Sequence, residues 1–134
     1  MLQYNITAQR IDHHGSLVQC KEAEIILDTD LQGRSDAFNP AELLLAALAA
    51  CIIKNIERVI PILKFELNNV QVSISGYRQD KPPKMQRIEY KLTIDTPETD
   101  KRLALLHRNI KQFGTVYNTL VQGCELTGII ERQK

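Results

Sequence analysis

The sequence lacks the cysteine patterns that cross-link a small domain or hold zinc. It has three cysteines, an odd number, and no Cys-x-x-Cys pair. A disulfide framework or a structural zinc site normally shows paired and closely spaced cysteines. Neither is therefore expected, and a reducing cytoplasm is the expected location.

An excess of one charge and a long apolar run are also absent. Seventeen basic side chains oppose sixteen acidic ones, so the basic excess typical of a nucleic-acid surface is missing. The apolar run at 43–53 has eleven residues, whereas a bilayer span needs about 20. Residues 1–6 alternate polar and apolar side chains, unlike an export signal. We expect neither a nucleic acid nor a membrane as a partner.

The sequence contains enough hydrophobic residues to form one core. Hydrophobic residues make up 43% of the 134 residues, and low-complexity tracts and internal repeats are absent. A chain of this length is expected to form a single domain, residues 1–134.

Hydrophobic periodicity predicts an α+β fold. Alternating or short apolar segments predict strands at 2–8, 16–20, 23–28, 70–75, 88–95 and 125–131. The segment 78–84 looks too long for a tight turn and suits an extended hairpin. A cap and a proline at 96–100 predict the start of a helical stripe that Gly114 divides and Gly123 ends. The predicted order is β-β-β-α-β-β-α-α-β, with helices covering antiparallel sheet.

A long helix organises this order. Asn39 is expected to cap it, Pro40 suits its first turn, and Pro61 is expected to stop it at about residue 60. Its first half is apolar on every side and must be surrounded by protein, whereas its second half has polar residues that reach the surface. In a chain this small, a second copy is expected to supply part of the cover, as in an obligate homodimer.

The same segment carries a recognisable motif. Asn39-Pro40, a glutamate and then Leu-Leu-x-Ala-Ala-x-Ala-Ala-Cys resemble, in order, spacing and position, the signature of the OsmC/Ohr family of osmotically induced and organic-hydroperoxide-resistance proteins. The resemblance implies an OsmC-like fold, in which antiparallel sheets pack on a long buried central helix. It also implies an intertwined homodimer with two sites at its interface.

Cys51 ends this motif. By residue type alone, a buried free cysteine acts as a small hydrophobe. An apolar surround disfavours the reactive thiolate unless a cation such as Lys54 offsets it. The resemblance implies instead that the Cys51 thiolate attacks a hydroperoxide and becomes a sulfenic acid. No metal or organic cofactor is then required, and the histidines show no metal-ligand spacing.

The resemblance also implies an arginine that holds the thiolate ionised and a glutamate that pairs with it. Arg10, at the end of the first predicted strand, matches the arginine, and Arg34 matches less well. Glu42 matches the glutamate, shifted by one from the usual position, where this chain has Ala41. On one helix Glu42 and Cys51 lie about 13 Å apart along the axis and on opposite faces. A shared site therefore needs Glu42 from the partner chain; the ordinary alternatives are a surface strand end and a charge at a helix N-terminus.

The family's second cysteine, which converts the sulfenic acid into a disulfide, is missing from its usual place. The corresponding position here is Gly114. Cys124 or Cys20 would replace it if the fold brings its Cα within about 7 Å of that of Cys51. Otherwise, a small thiol or a protein dithiol would act directly on Cys51 in a one-cysteine cycle.

Two functions follow from these residues. The first is a thiol-dependent peroxidase for apolar organic hydroperoxides, with Cys51 as nucleophile, Arg10 stabilising its thiolate and Glu42 orienting Arg10 across the interface. The second is a non-catalytic redox sensor or binder of a small apolar ligand. The glycine at position 114 favours this second function.

Overall fold

The computed structural model describes residues 1–133 and confirms the predicted α+β class. Its strands are β1 (Thr7–Asp12), β2 (Gly15–Cys20), β3 (Ala23–Asp28), β4 (Asn69–Asp80) and β5 (Pro83–Asp95); its helices are α1 (Pro40–Leu63), α2 (Asp100–Phe113) and α3 (Thr115–Gln122). The first three strands form one antiparallel sheet in the order β1-β2-β3, and β4 and β5 form a separate pair.

The chain divides into two compact units. The first unit contains Met1–Ala47 and Ile74–Glu89, and the second contains Leu48–Ser73 and the chain from Tyr90 onward. The long elements α1, β4 and β5 each run from one unit into the other.

The first unit shows how the three-stranded sheet leads into α1. The buried carboxylate of Asp28, at the end of β3, accepts hydrogen bonds from the backbone N–H groups of Asp30 and Arg34, both at 3.0 Å. These bonds fix the loop before the helix. Gly15 lets the start of β2 pack closely, because a Cβ there would lie 3.2 Å from the Leu27 carbonyl oxygen and would displace the Arg34 guanidinium, whose Nη1 would be 2.6 Å away.

The core of the second unit comes mainly from one face of α1 and one face of α2. Ile52 and Ile56 lie one turn apart on α1, and Leu106 and Ile110 lie one turn apart on α2; all four are fully buried. This spacing places each pair on a single helix face, so the periodicity of the sequence predicts which side chains form the core.

Burial along α1 differs from the prediction. Its buried residues are Leu48, Ile52, Asn55, Ile56 and Val59, all in the middle and second half. In the first half, the Leu44 side chain is 39% exposed within the single chain. The expectation of a buried first half is therefore wrong for one chain by itself. The second half agrees with the prediction, since its charged residues Lys54, Glu57 and Arg58 are exposed beside a buried apolar stripe; Asn55 is the exception, because it is buried.

The helix boundaries needed correction at two places. The prediction that α1 stops before Pro61 is wrong: Pro61 lies in the last turn, where it removes only one helical hydrogen bond. The helix ends at Leu63; the next residue, Lys64, has a positive φ of 50°, and the Phe65 N–H donates to the Ile60 carbonyl at 3.0 Å. Helix α2 begins at Asp100 rather than near Pro97, because Thr99 caps it by accepting from the Arg102 N–H.

Two predicted strands are misplaced or absent. The first strand lies at Thr7–Asp12 rather than 2–8, since its partner β2 ends at Cys20 and leaves earlier residues unpaired. The predicted strand at 125–131 is wrong, since none of residues 123–133 is in a strand. Alternating apolar residues form a strand only where a neighbouring strand is available to pair with their backbone.

The connection between β4 and β5 is shorter than predicted. The two strands continue to Asp80 and from Pro83, so only Lys81 and Pro82 join them. Gln79 supports this turn by donating from Nε2 to the carbonyl oxygens of Lys81 at 3.4 Å and Pro82 at 3.1 Å. The prediction of a long loop at 78–84 is therefore wrong.

Candidate functional site

The structure places Cys51 on α1, in the second unit, as a partly buried free thiol. Its sulfur lies directly against the junction of α2 and α3. A Cβ added at Gly114 would be 3.1 Å from Cys51 Sγ, 2.9 Å from the Ile110 carbonyl oxygen and 3.1 Å from the Tyr117 Cβ. Gly114 therefore lets the backbone of the α2–α3 junction pack closely against the sulfur.

Gly114 is held in place by the helices on either side of it. Its N–H donates to the Ile110 carbonyl at 3.1 Å, and its own carbonyl accepts from the Asn118 N–H at 2.9 Å. The Asn118 side chain also donates to the Gln112 carbonyl at 3.1 Å. These bonds end α2 and begin α3 within one residue, which fixes the backbone opposite the thiol.

Two polar side chains follow Cys51 along the same face of α1. Asn55 is one turn further on and only 6% exposed. Arg58 donates from Nε to Asn55 Oδ1 at 3.0 Å, and its guanidinium carbon lies 4.8 Å from the ring centroid of Phe113. Arg58 is exposed, as predicted for a polar residue of this half of the helix, whereas Asn55 is buried; their positions four and seven residues after Cys51 place both on its face.

A cluster of two tyrosines and a histidine adjoins Gly114 through Tyr117, whose Cβ would lie 3.1 Å from a Cβ added at Gly114. Tyr117 of α3 is edge-on to Tyr90 of β5, with ring centroids 6.3 Å apart, and the Tyr90 hydroxyl is 2.6 Å from Nε2 of His107. Burial, followed by the neighbouring Tyr117, raises the pKa of Tyr90 to about 12. Burial, followed by the charge of Lys111, lowers the pKa of His107. At neutral pH, a neutral tyrosine and a neutral histidine therefore share this hydrogen bond.

The other two predicted site residues lie in the first unit. Arg10 is an exposed residue of β1, opposite Ser16 of β2. The Glu42 carboxylate accepts from the Asn39 N–H at 3.0 Å, and the Glu42 N–H donates to Asn39 Oδ1 at 2.8 Å. This is a capping box, and it confirms Asn39 as the N-cap of α1. Within residues 1–133 neither Arg10 nor Glu42 forms a salt bridge.

The structure also shows the surroundings of Arg34, the second arginine candidate, and the positions of Cys20 and Cys124. Arg34 already binds Asp36 through Nε at 2.6 Å and Nη2 at 2.9 Å. Cys20 ends β2, and Cys124 is an exposed residue after Gly123. Both of these cysteines are free thiols like Cys51.

Residues 1–133 contain neither a cluster of metal ligands nor a helix that could span a membrane. Among residues 1–133, no three His, Cys, Asp or Glu side chains are grouped so as to hold a metal ion. Over the same residues, every helix is too short or too polar to cross a bilayer.

Comparisons with known proteins agree on the family and the fold. The family model described as OsmC-like protein matches residues 33–127. The structure of an OsmC-like protein from Mycoplasma pneumoniae has a TM-score of 0.83 and 21% identity, covering 90% of this chain and 89% of that one. An organic hydroperoxide resistance protein from Legionella pneumophila has a TM-score of 0.66 and 20% identity, covering 92% and 93%.

A third solved structure gives the same picture. The organic hydroperoxide resistance protein of Bacillus subtilis has a TM-score of 0.58 and 17% identity, covering 91% of this chain and 92% of that one. A search of curated proteins finds no match. At these identities the solved structures show the fold alone, and the predicted OsmC-like fold is confirmed.

Proposed function

This chain belongs to the OsmC-like protein family, and from that premise we propose that it is a thiol-dependent peroxidase that reduces organic hydroperoxides through Cys51. The observation that carries the proposal is the setting of the Cys51 thiol. Cys51 is a free thiol on the helix of the family motif and is only partly buried, so part of the residue stays accessible to a peroxide. Two structures of the same fold are named for hydroperoxide resistance, which supports this choice of substrate.

The proposed reaction begins with the Cys51 thiolate. It attacks one peroxide oxygen, so that an S–O bond forms as the O–O bond breaks. The alkoxide that leaves takes up a proton and becomes an alcohol, while Cys51 becomes a sulfenic acid. Arg10 stabilises the thiolate and Glu42 orients Arg10, in a homodimer where Glu42 comes from the second copy.

The sulfenic acid must then be reduced by a thiol from outside the chain. Gly114, at the position of the family's second cysteine, carries no sulfur, so the proposed reductant is an external thiol. Attack on the sulfenic sulfur forms a mixed disulfide and releases water; a second thiol then restores Cys51 and leaves as a disulfide. The proposed cycle therefore uses one cysteine of this chain, in the reducing cytoplasm.

The glycine at position 114, where the family has its second cysteine, also favours another function, that of a redox sensor. A sensor would accept oxygen from one peroxide and keep its sulfenic acid, with no rapid return to the thiol. The difference between the two functions lies only in the reduction step.

Consumption of cumene hydroperoxide by the purified protein, with dithiothreitol as reductant, tests the proposal. We expect many turnovers per protein, and the same rate for Cys124→Ser, since an external thiol reduces Cys51. A single turnover, with the sulfenic acid trapped by dimedone, would instead identify a sensor. Lack of any reaction beyond that of free cysteine contradicts both functions.

A matched pair of variants at the start of α1 separates catalysis from capping. Asn39→Ala removes the cap and is expected to lower the free energy of unfolding by about 1 kcal/mol without lowering activity. Glu42→Gln retains the side chain's reach to the Asn39 N–H, so stability changes less, but the lost charge is expected to lower peroxide reduction. Urea denaturation and the peroxidase assay measure both effects, and unchanged activity in Glu42→Gln would leave Glu42 with a capping role only.

A further inference from the structure

A buried donor without an acceptor lies one helical turn from the reactive thiol. Asn55 is 6% exposed, and within residues 1–133 its Nδ2 has no hydrogen-bond partner, the Cys51 sulfur included. Buried polar groups in proteins nearly always have a partner. An exception beside a site of chemistry suggests that the partner arrives during the reaction.

Arg58 determines which end of the Asn55 side chain is left without a partner. A guanidinium group only donates hydrogen bonds, so the atom that faces Arg58 Nε at 3.0 Å must be the Asn55 carbonyl oxygen. The amide nitrogen therefore occupies the other position and presents its two hydrogens away from Arg58. The contact of Arg58 with the Phe113 ring, 4.8 Å from its centroid, helps to hold this arrangement.

Helix geometry relates the free amide to Cys51. Residues i and i+4 lie on one face with Cβ atoms about 5–6 Å apart, and helical side chains lean toward the N-terminus. The Asn55 side chain therefore leans over the turn that carries Cys51. Its nitrogen donates no hydrogen bond to the sulfur in the resting chain, so both of its hydrogens remain available.

From these contacts we propose that Asn55 is a catalytic residue whose amide donates a hydrogen bond to the oxygen that Cys51 takes from the peroxide. This inference rests on the proposed peroxidase function. As the O–O bond breaks, negative charge spreads over the peroxide oxygens, and a fixed, buried donor stabilises that charge without reorganising. The same bond then holds the oxygen of the sulfenic acid.

Two reactions of Cys51 separate this role from a general effect on the thiolate. Iodoacetamide alkylation needs the thiolate but transfers no oxygen, whereas reduction of cumene hydroperoxide needs both. We expect Asn55→Leu to slow the hydroperoxide reaction about 10- to 100-fold, as for loss of one transition-state donor. The rate of alkylation, and its dependence on pH, should remain within about twofold of wild type, because Asn55 does not bind the sulfur at rest.

Controls make either outcome decisive. Asn55→Ala, which cannot clash, repeats the test if Asn55→Leu does not fold. Asn109→Leu removes another helical asparagine whose Nδ2 is already bound to the Leu105 carbonyl at 3.2 Å, and should leave both reactions unchanged. Equal rates with hydroperoxide for wild type and the Asn55 variants, or parallel slowing of both reactions, overturn the inference. A wild type no faster than free cysteine shows instead that the proposed function is wrong, and the inference fails with it.

Discussion

Cys51→Ser is expected to reduce hydroperoxide consumption to the rate measured without protein. Serine has nearly the same size, so the packing around residue 51 should change little. Its hydroxyl stays protonated at neutral pH and is not oxidised by a peroxide, whereas a thiolate is. Consumption of cumene hydroperoxide with dithiothreitol measures the effect, and thermal denaturation shows that the variant is folded.

The other two cysteines provide the controls for this result. Cys20→Ser changes the last residue of β2 and Cys124→Ser changes an exposed residue after α3, so both should retain full activity. If Cys51→Ser retains activity and Cys124→Ser loses it, the nucleophile is Cys124, and the assignment of Cys51 from the family motif is wrong. Loss in both variants would show that Cys124 is needed to reduce oxidised Cys51.

The fold was predicted best where the sequence specifies local structure. Asn39 and Pro40 mark the start of α1, and Gly114 and Gly123 mark breaks that the structure confirms. The helix boundaries near Pro61 and Pro97 were misplaced by a few residues, whereas the strand errors occur where the outcome depends on distant residues. The alternation at 2–8 indicates a strand, but the end of β2 at Cys20 decides which of those residues are paired.

The residues of the candidate site also fall into two groups: some are predictable from the local motif, and others depend on distant parts of the structure. The motif identifies Cys51, and the family pattern identifies Gly114 as the position that the structure then places beside its sulfur. Asn55 was missed because a polar residue on a helix is usually exposed, and only packing in the second unit buries it. The roles of Arg10 and Glu42 remain predictions, since both depend on a second copy of the chain.

Gly114→Cys is expected to replace the proposed one-cysteine cycle with one in which Cys51 forms an internal disulfide. Gly114 has φ −73° and ψ 117°, a conformation open to any L-residue. The added Cβ would lie 3.1 Å from Cys51 Sγ. In a disulfide with an S–S bond of about 2.05 Å, each Cβ lies about 3 Å from the far sulfur, so the spacing suits a bond. After one equivalent of hydroperoxide, the variant should lose two titratable thiols and resist over-oxidation of Cys51.

Gly114→Ser separates this chemistry from crowding. Its side chain meets the same neighbours, the Ile110 carbonyl oxygen at 2.9 Å and the Tyr117 Cβ at 3.1 Å from the added Cβ, but it has no sulfur. Both variants should therefore lose about 1–3 kcal/mol of stability in the reduced state. Only Gly114→Cys should trap the sulfenic acid as a disulfide, seen by mass spectrometry as a loss of two hydrogens. If oxidised Cys51 accumulates equally in both variants, the α2–α3 junction does not lie beside the thiol when it reacts, and external reduction must proceed by another approach.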